Sequence, residues 1–325
     1  MRIAFASCMS AQVFPQQPVW DWIAAAGPDH VVLLGDSIYL DVFAPKHPKE
    51  MSNVEFAQHL LQRYRAQLAQ PQFNRLLKGM RATKGLGRVH AIWDDHDFLW
   101  DNAAGAAIRA QPPQRDKIPL SSAFFKAFRQ ALDAPDTYPA DYNAAQFWNP
   151  VEPAPVVQSL LLENELWLHL SDSRSWRTEV KWVPQEKREL LGSAQQSQLQ
   201  EAMAAHPDAV HVLANGSTSK DWQDYRGDWS WLKAQAALRR TMLLSGDIHH
   251  NNVDVFETGG YPLHEATSSG AAVNDAVVLG KLEHNYGVLD VSATELALRF
   301  FEQGNVENQP LARVYRRDSW LRQLG

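Results

Sequence analysis

The stretch Val31-Val32-Leu33-Leu34-Gly35-Asp36-Ser37-Ile38-Tyr39-Leu40-Asp41 decides how the chain is read. Its opening run of aliphatic residues, led by two valines, predicts a short strand buried on both faces. Gly35 ends the run and permits a turn. Asp36, Ser37 and Tyr39 then stand at the strand's C-terminal edge. In sheets with parallel strands and helices on both faces, that edge is where sites are built. Two chemistries compete for this turn: Asp36 as a metal ligand, or Ser37 as a nucleophile.

Working outward, Arg2–Ser7 reads as a first strand that delivers Cys8. Arg88–Trp93 reads as a third, discharging into Asp94-Asp95-His96-Asp97. Glu165–Leu170 alternates as Leu166, Leu168, Leu170 and ends in Ser171-Asp172-Ser173-Arg174. Thr241–Leu244 ends in Ser245-Gly246-Asp247-Ile248-His249-His250. An Asp after a strand is by itself an ordinary turn or cap residue, and a lone His an ordinary structural one. The repetition of such endings asks for a common cause. Strands sharing a parallel sheet would bring their ends to one crevice.

The intervening segments predict helices over Gln17–Ala26, from Ser52 (an N-cap with Glu55 completing a capping box), near Gln72–Met80, over Ser121–Leu132, from Pro184 to about His206, and over Trp229–Arg240. Ala103–Pro119 and Tyr138–Pro155 read as loops. Val156–Leu162 pairs with Glu165–Leu170 across a Glu163-Asn164 hairpin, and Ala209–Leu213 is a further strand. From Asn252 to about Tyr315 the chain reads as consecutive strands: Val253–Glu257, Pro262–Thr267, Gly287–Val291, Glu295–Phe301 and Leu311–Tyr315. The expectation is one α/β domain over residues 1–325 with a β-rich part from about 252.

The 325 residues are 45% hydrophobic and 21% charged, which is the profile of a globular protein with a sizeable core. A net charge of −6 gives no nucleic-acid footprint. No apolar run approaches a membrane span. Cys8 is the only cysteine, so no intramolecular disulfide forms. The N-terminus offers no signal h-region, and the expected location is the cytoplasm. Nothing in the sequence speaks to oligomeric state.

Carboxylates gathered at one crevice repel one another, and a multivalent cation removes that cost. Asp, His, Tyr and a thiolate suit a transition metal; further carboxylates and amide oxygens suit Ca²⁺ or Mn²⁺. Two cations bridged by one carboxylate is an arrangement for phosphoester hydrolysis, with activated water attacking phosphorus. Arg174 supplies a planar fork for a phosphate. His96 can protonate the leaving alkoxide.

Ala6-Ser7-Cys8, Gly35 to Asp41, Trp93 to Asp97, Asp172 to Arg177, Leu191-Gly192 with Gln195, Trp222 with Tyr225, and Ser245 to His250 follow in one order. Ser268-Ser269-Gly270 and Asn285-Tyr286-Gly287 extend it. On these motifs the chain resembles the PhoD-like (alkaline phosphatase D) family of the calcineurin-type metallophosphoesterase superfamily. The resemblance implies a four-layer αββα sandwich of two mixed β-sheets flanked by helices. It implies hydrolysis of small-molecule phosphodiesters and phosphomonoesters with iron and calcium, manganese or zinc being alternatives. It maps the thiolate ligand onto Cys8, the bridging aspartate onto Asp36, the tyrosinate onto Tyr39 and the last ligand pair onto Asp247 and His249. Asp95-His96 occupies the place of an Asn-His pair, as ligand and general acid. A further Asn ligand maps onto Asn102, with Asp101 the neighbouring alternative. The family's usual secretion signal is not expected from this N-terminal stretch.

Two other readings compete. Gly35-Asp36-Ser37 also matches the nucleophile block of a GDS(L)/SGNH serine esterase, with Asp247 and His250 as its Asp-x-x-His pair. That leaves Cys8, the Asp94–Asp97 cluster and Arg174 without roles, and puts the pair 75 residues from the C-terminus. The other is a catalytically silent metal-stabilised binding domain, which would require a missing ligand. Asp94, Asp97 and His250 receive no role from sequence.

Overall fold

The computed structural model describes residues 1–112, 114–149, 157–273 and 284–323. In chain order the elements are β1 (Arg2–Ala6), α1 (Val19–Ala26), β2 (His30–Leu34), α2 (Asn53–Ala69), α3 (Pro71–Lys84), β3 (Val89–Ile92), α4 (Asp95–Phe98), α5 (Gly105–Arg109), α6 (Lys117–Ala131), α7 (Ala145–Trp148), β4 (Gln158–Leu162), β5 (Leu166–Leu170), α8 (Ser193–Ala204), β6 (Val210–Ala214), α9 (Ser219–Asp224), α10 (Arg226–Leu238), β7 (Arg240–Ser245), β8 (Asn252–Phe256), β9 (Leu263–Thr267), β10 (Tyr286–Val291), β11 (Glu295–Glu302), β12 (Val306–Glu307) and β13 (Arg313–Arg316).

The strands form two mixed sheets. The first has the order β12-β11-β10-β1-β2-β3, with β13 also pairing β11. Within it β1, β2 and β3 are parallel, and β10 joins β1 antiparallel. The second has the order β4-β5-β6-β7-β9-β8. Here β5, β6, β7 and β9 are parallel, and β4 and β8 close the edges antiparallel. The strands after residue 252 complete both sheets.

Side-chain alternation sets the layers. Val212, Met242 and Leu244 share one continuous core with Ile3, Phe5, Val32 and Leu34 of the first sheet. Leu213, Leu243 and Leu263, one residue out of phase, pack instead with Leu199, Trp222 and Leu232 of α8, α9 and α10. On the other side Trp20, Leu60, Phe73 and Phe128, from α1, α2, α3 and α6, join the first sheet's core. The capping box of Ser52 and Glu55 opens α2 as the sequence predicts.

Several expectations are corrected. The polar strand ends do not share one parallel sheet: β1, β2 and β3 lie in one, β5 and β7 in the other. The predicted loop Ala103–Pro119 contains α5 and the start of α6, and Tyr138–Pro155 contains α7. Pro150–Pro155 and Val156 lie outside the described residues. No long helix starts at Pro184. A single turn at Gln185–Lys187 is followed by extended chain, and α8 begins only at Ser193, after Gly192 at φ 78°. The cause is tertiary. Thr178 N–H donates to the Glu189 carbonyl at 2.9 Å, and Leu191 N–H donates to Asp228 at 3.0 Å. Leu190 and Leu191 are buried regardless, so helical apolar spacing was satisfied by a non-helical segment. The hairpin turn spans Glu163–Glu165 rather than Glu163-Asn164, because Leu162 pairs directly with Leu166.

Candidate active site

The C-terminal ends of the two sets of parallel strands are stitched together. Ser7 Oγ donates to the Ser268 carbonyl at 3.2 Å. The Ser7 carbonyl accepts from Gly270 and Ala271 at 3.2 and 2.9 Å, and Gly246 N–H donates to the Gly216 carbonyl at 3.0 Å. This brings the ends of β1, β2, β3, β5 and β7 to one centre. Gly35 and Gly216 permit the close approach: a Cβ on either would lie 2.6 Å from Asp94 Cβ or 2.5 Å from Asp94 Cγ. Cys8, Asp36, Asp247 and His249 have φ of 61°, 50°, 71° and 60°. Such left-handed conformations cost about 1–3 kcal/mol each and collect at functional sites.

Three sets of donor atoms result: Cys8, Asp36 and His249; Asp36, Asp95 and His96; and Asp36, Asp94, Asp95 and Asp247. Within each set one ligand atom per residue lies within 4.8 Å of the others. Asp36 belongs to all three. Tyr39 joins the first set, its hydroxyl 3.2 Å from His249 Nε2. Cys8 Sγ lies 3.0 Å from Ser269 Oγ and 3.5 Å from Asp36 Oδ2.

The electrostatics describe a centre built for positive charge. Burial, then Cys8 and Asp95, pushes the Asp36 carboxyl well above its usual range. Burial, then Asp94 and Asp95, raises Asp247 to about 7. Burial raises the Cys8 thiol to about 11 and the Tyr39 phenol well above its ordinary value. Among the described residues the buried oxygens Asp94 Oδ2 and Asp95 Oδ1 accept no hydrogen bond, and His249 Nδ1 is equally unpartnered. Buried polar atoms are rarely left so. Unpartnered O and N atoms beside a buried thiol and clustered carboxylates are what a pair of cations fits.

Other residues hold these groups in place. His96 Nδ1 donates to Asp41 Oδ1 at 2.7 Å. Burial opposes charging of the ring, but Asp41, Asp36 and Asp95 outweigh it and raise His96 to about 10. Tyr39 lies against the same ring, centroids 4.3 Å apart. Arg174 is buried, its Nε donating to Asp94 at 2.5 Å and Nη2 lying 3.5 Å from Asp95, while Nη1 has no hydrogen-bond partner among the described residues. Asp97, without a role from sequence, accepts from Ser37 N–H at 3.1 Å and Asp94 N–H at 2.6 Å, and so joins the ends of β2 and β3. Asp172 is a turn former, accepting from Trp93 Nε1, Arg174 N–H and Ser175 N–H.

Of the sequence-predicted residues, Cys8, Asp36, Tyr39, Asp95, His96, Arg174, Asp247 and His249 come together. Asn102 differs. It is exposed, its amide donates to Asp101 at 3.0 Å, and what it gives the centre is its backbone N–H to Asp95 at 2.6 Å. Sequence reasoning missed Asp41 and Ser269 as supports of His96 and Cys8. Both lay inside quoted motifs, but the contacts cross 55 and 261 residues. The serine-esterase arrangement does not assemble. Among the described residues Ser37 Oγ is buried without a partner, and exposed His250 turns its Nδ1 to the Ile248 carbonyl at 2.8 Å.

Two mixed sheets meet, at their joined strand ends, on a cluster of donor atoms in which Asp36 recurs, a centre of the kind that holds metal ions. A sequence profile described as PhoD-like phosphatase matches residues 3–285, and the chain belongs to that family. It is a metal-dependent phosphoester hydrolase. A solved structure of PhoD has the same fold, with TM-score 0.65 and 17% identity, covering 100% of this chain and 72% of that one. Zinc-complexed Vps29 from Entamoeba histolytica gives TM-score 0.37 at 8% identity, covering 98% and 99%. The phosphoesterase YfcE from E. coli gives 0.31 at 12%, covering 91% of each. No curated protein matches. Among the described residues no helix is long and apolar enough to cross a membrane.

Proposed function

We propose that the chain is a single catalytic unit in which Asp36 bridges two cations. The observation that carries this is the membership of Asp36 in every donor set. Cys8, Tyr39 and His249 form the softer side, suited to iron; Asp95 and Asp247, with the Asn102 loop, form the oxygen-rich side, suited to calcium. Bound there, the cations supply a nucleophilic water at neutral pH and neutralise charge on the phosphoryl oxygens.

The remaining steps belong to side chains. Arg174 has its Nε committed to Asp94 and its Nη2 within ion-pair distance of Asp95, so Nη1, unpartnered among the described residues, is the donor left for a phosphoryl oxygen. A carboxylate can only accept, so Asp41 fixes the proton of His96 on Nδ1. The protonated ring then presents Nε2–H to the leaving-group oxygen. Small phosphodiesters and monoesters are the proposed substrates.

Elemental analysis of purified protein, paired with turnover of a chromogenic bis-ester and a phosphoester panel, tests the proposal. Ser37→Ala leaves turnover within about threefold of wild type, because no nucleophile is lost. Loss of turnover with the metals retained would favour the serine esterase.

A further inference from the structure

Arg63, in the middle of α2, is 5% exposed, and among the described residues it forms no ion pair. Burying a guanidinium without a carboxylate is costly unless its donors are used. Arg63 spends Nη2 on two successive carbonyls, Val42 at 3.0 Å and Phe43 at 3.1 Å. One turn earlier on the same helix, buried His59 places Nε2 2.8 Å from the Leu40 carbonyl. Three carbonyls of one short segment are thus tied to one face of α2. The segment needs tying. Phe43 is 65% exposed and has φ 49°, a conformation an aromatic residue rarely holds unaided.

Asp41 is the residue these ties enclose. Its Oδ1 takes the His96 Nδ1 proton, and its Oδ2 accepts Asp101 N–H at 2.7 Å. A shift of the Leu40–Phe43 backbone moves this carboxylate and turns the His96 ring with it. Neither Arg63 nor His59 belongs to any of the donor sets. Resting on the general-acid role proposed for His96, we infer that Arg63, with His59 beside it, is a positioning residue for proton donation, acting through the Leu40–Phe43 backbone, Asp41 and His96. It touches neither substrate nor metal.

Leaving-group dependence reads this directly. Departure of p-nitrophenolate needs little proton donation; departure of an alkoxide needs much, and a positioned acid contributes about 10²–10⁴-fold. Arg63→Lys and Arg63→Gln are assayed on bis(p-nitrophenyl) phosphate and on an alkyl p-nitrophenyl-free phosphodiester, with metal content measured in each. The expected result is a loss of about 10–100-fold in kcat for the alkyl ester. Turnover of the nitrophenyl ester stays within about threefold, KM and metal content being unchanged. Equal losses on both esters, or no loss on either, overturn the inference. His96→Asn separates the two levels. If it is selective for the alkyl ester and the Arg63 variants are not, only the inference about Arg63 falls. If His96→Asn is itself unselective, the general-acid reading falls and this inference with it. Should both Arg63 variants fail to fold, His59→Leu, which removes the Leu40 tie and the contact of Arg63 Nε with His59 Nε2 while leaving the Val42 and Phe43 ties in place, carries the same comparison.

Discussion

Asp36→Asn is the sharpest perturbation of this centre. Every donor set contains Asp36, whereas Cys8 belongs to one. Four-ligand sites bind cations with about 10–16 kcal/mol, or roughly 3 kcal/mol per ligand. Weakening one shared ligand therefore costs each of two ions about a hundredfold in affinity. At metal concentrations near the wild-type dissociation constants, each occupancy falls about 50-fold and joint occupancy by roughly 2 × 10³ to 3 × 10³. Activity, which needs both ions, falls with it. Cys8→Ser, by contrast, depletes one ion and spares the other. The assay is metal stoichiometry by elemental analysis across a metal titration, alongside bis(p-nitrophenyl) phosphate turnover. A stability control separates ligand loss from misfolding. In metal-free protein, burial, Cys8 and Asp95 all disfavour the Asp36 charge, so Asp36→Asn raises metal-free stability while abolishing turnover. If Asp36→Asn retains one ion, as Cys8→Ser does, the shared-ligand reasoning is refuted.

Two further outcomes follow from the supporting structure. Asp97→Ala strands two buried N–H groups, those of Ser37 and Asp94; at about 1–3 kcal/mol each, metal-free stability in urea drops by roughly 2–6 kcal/mol, and a drop below about 1 would deny Asp97 its structural role. The second concerns pH. His211 Nε2–H donates to the His206 carbonyl, so its Nδ1 accepts from His169 Nε2–H, and His169 Nδ1 accepts from Ser159. Burial, then the neighbouring histidines, lowers His169 to about 3; burial lowers His211 to about 4. Both are neutral when folded and take a proton near 6.5 when unfolded, so their contribution is complete above pH 6.5 and declines as pH falls toward 4. The slope is up to about 1.4 kcal/mol per pH unit for each. Urea unfolding at pH 7 and pH 5 measures it, and a His169→Gln, His211→Gln double variant that shows the same slope as wild type contradicts this account.

Much of the centre was legible because its residues sit where regular structure stops. A buried strand is a run of aliphatic residues, and whatever polar residue follows it is displayed at the edge. Cys8, Asp36, Asp95 and Asp247 were found that way. Illegible were the contacts that cross the chain. Asp94 looks like any turn aspartate until Arg174, 80 residues on, is found on its Oδ1. Asp172 looks like a site residue until its Oδ1 is seen to accept from Trp93, Arg174 and Ser175 and so hold a turn. The Leu190-Leu191 pair has helical spacing, yet Asp228 and Thr178 draw its segment into an extended conformation.

By itself the sequence determined which elements form and which chemistry is on offer: strand runs, capped helices, and a set of S, O and N donors in family order. Local preference and apolar periodicity carry that information within a few residues. Only the tertiary structure decided that the donor-bearing strands divide between two sheets, and that stitches from Ser7 to Ser268, Gly270 and Ala271 bring their ends together. It also decided that, among the described residues, Asp36 is common to every donor set while the Ser37 hydroxyl, one residue on, has no hydrogen-bond partner. Which of two adjacent side chains enters a centre depends on backbone direction at a turn, and that direction is set by the partners packed against it.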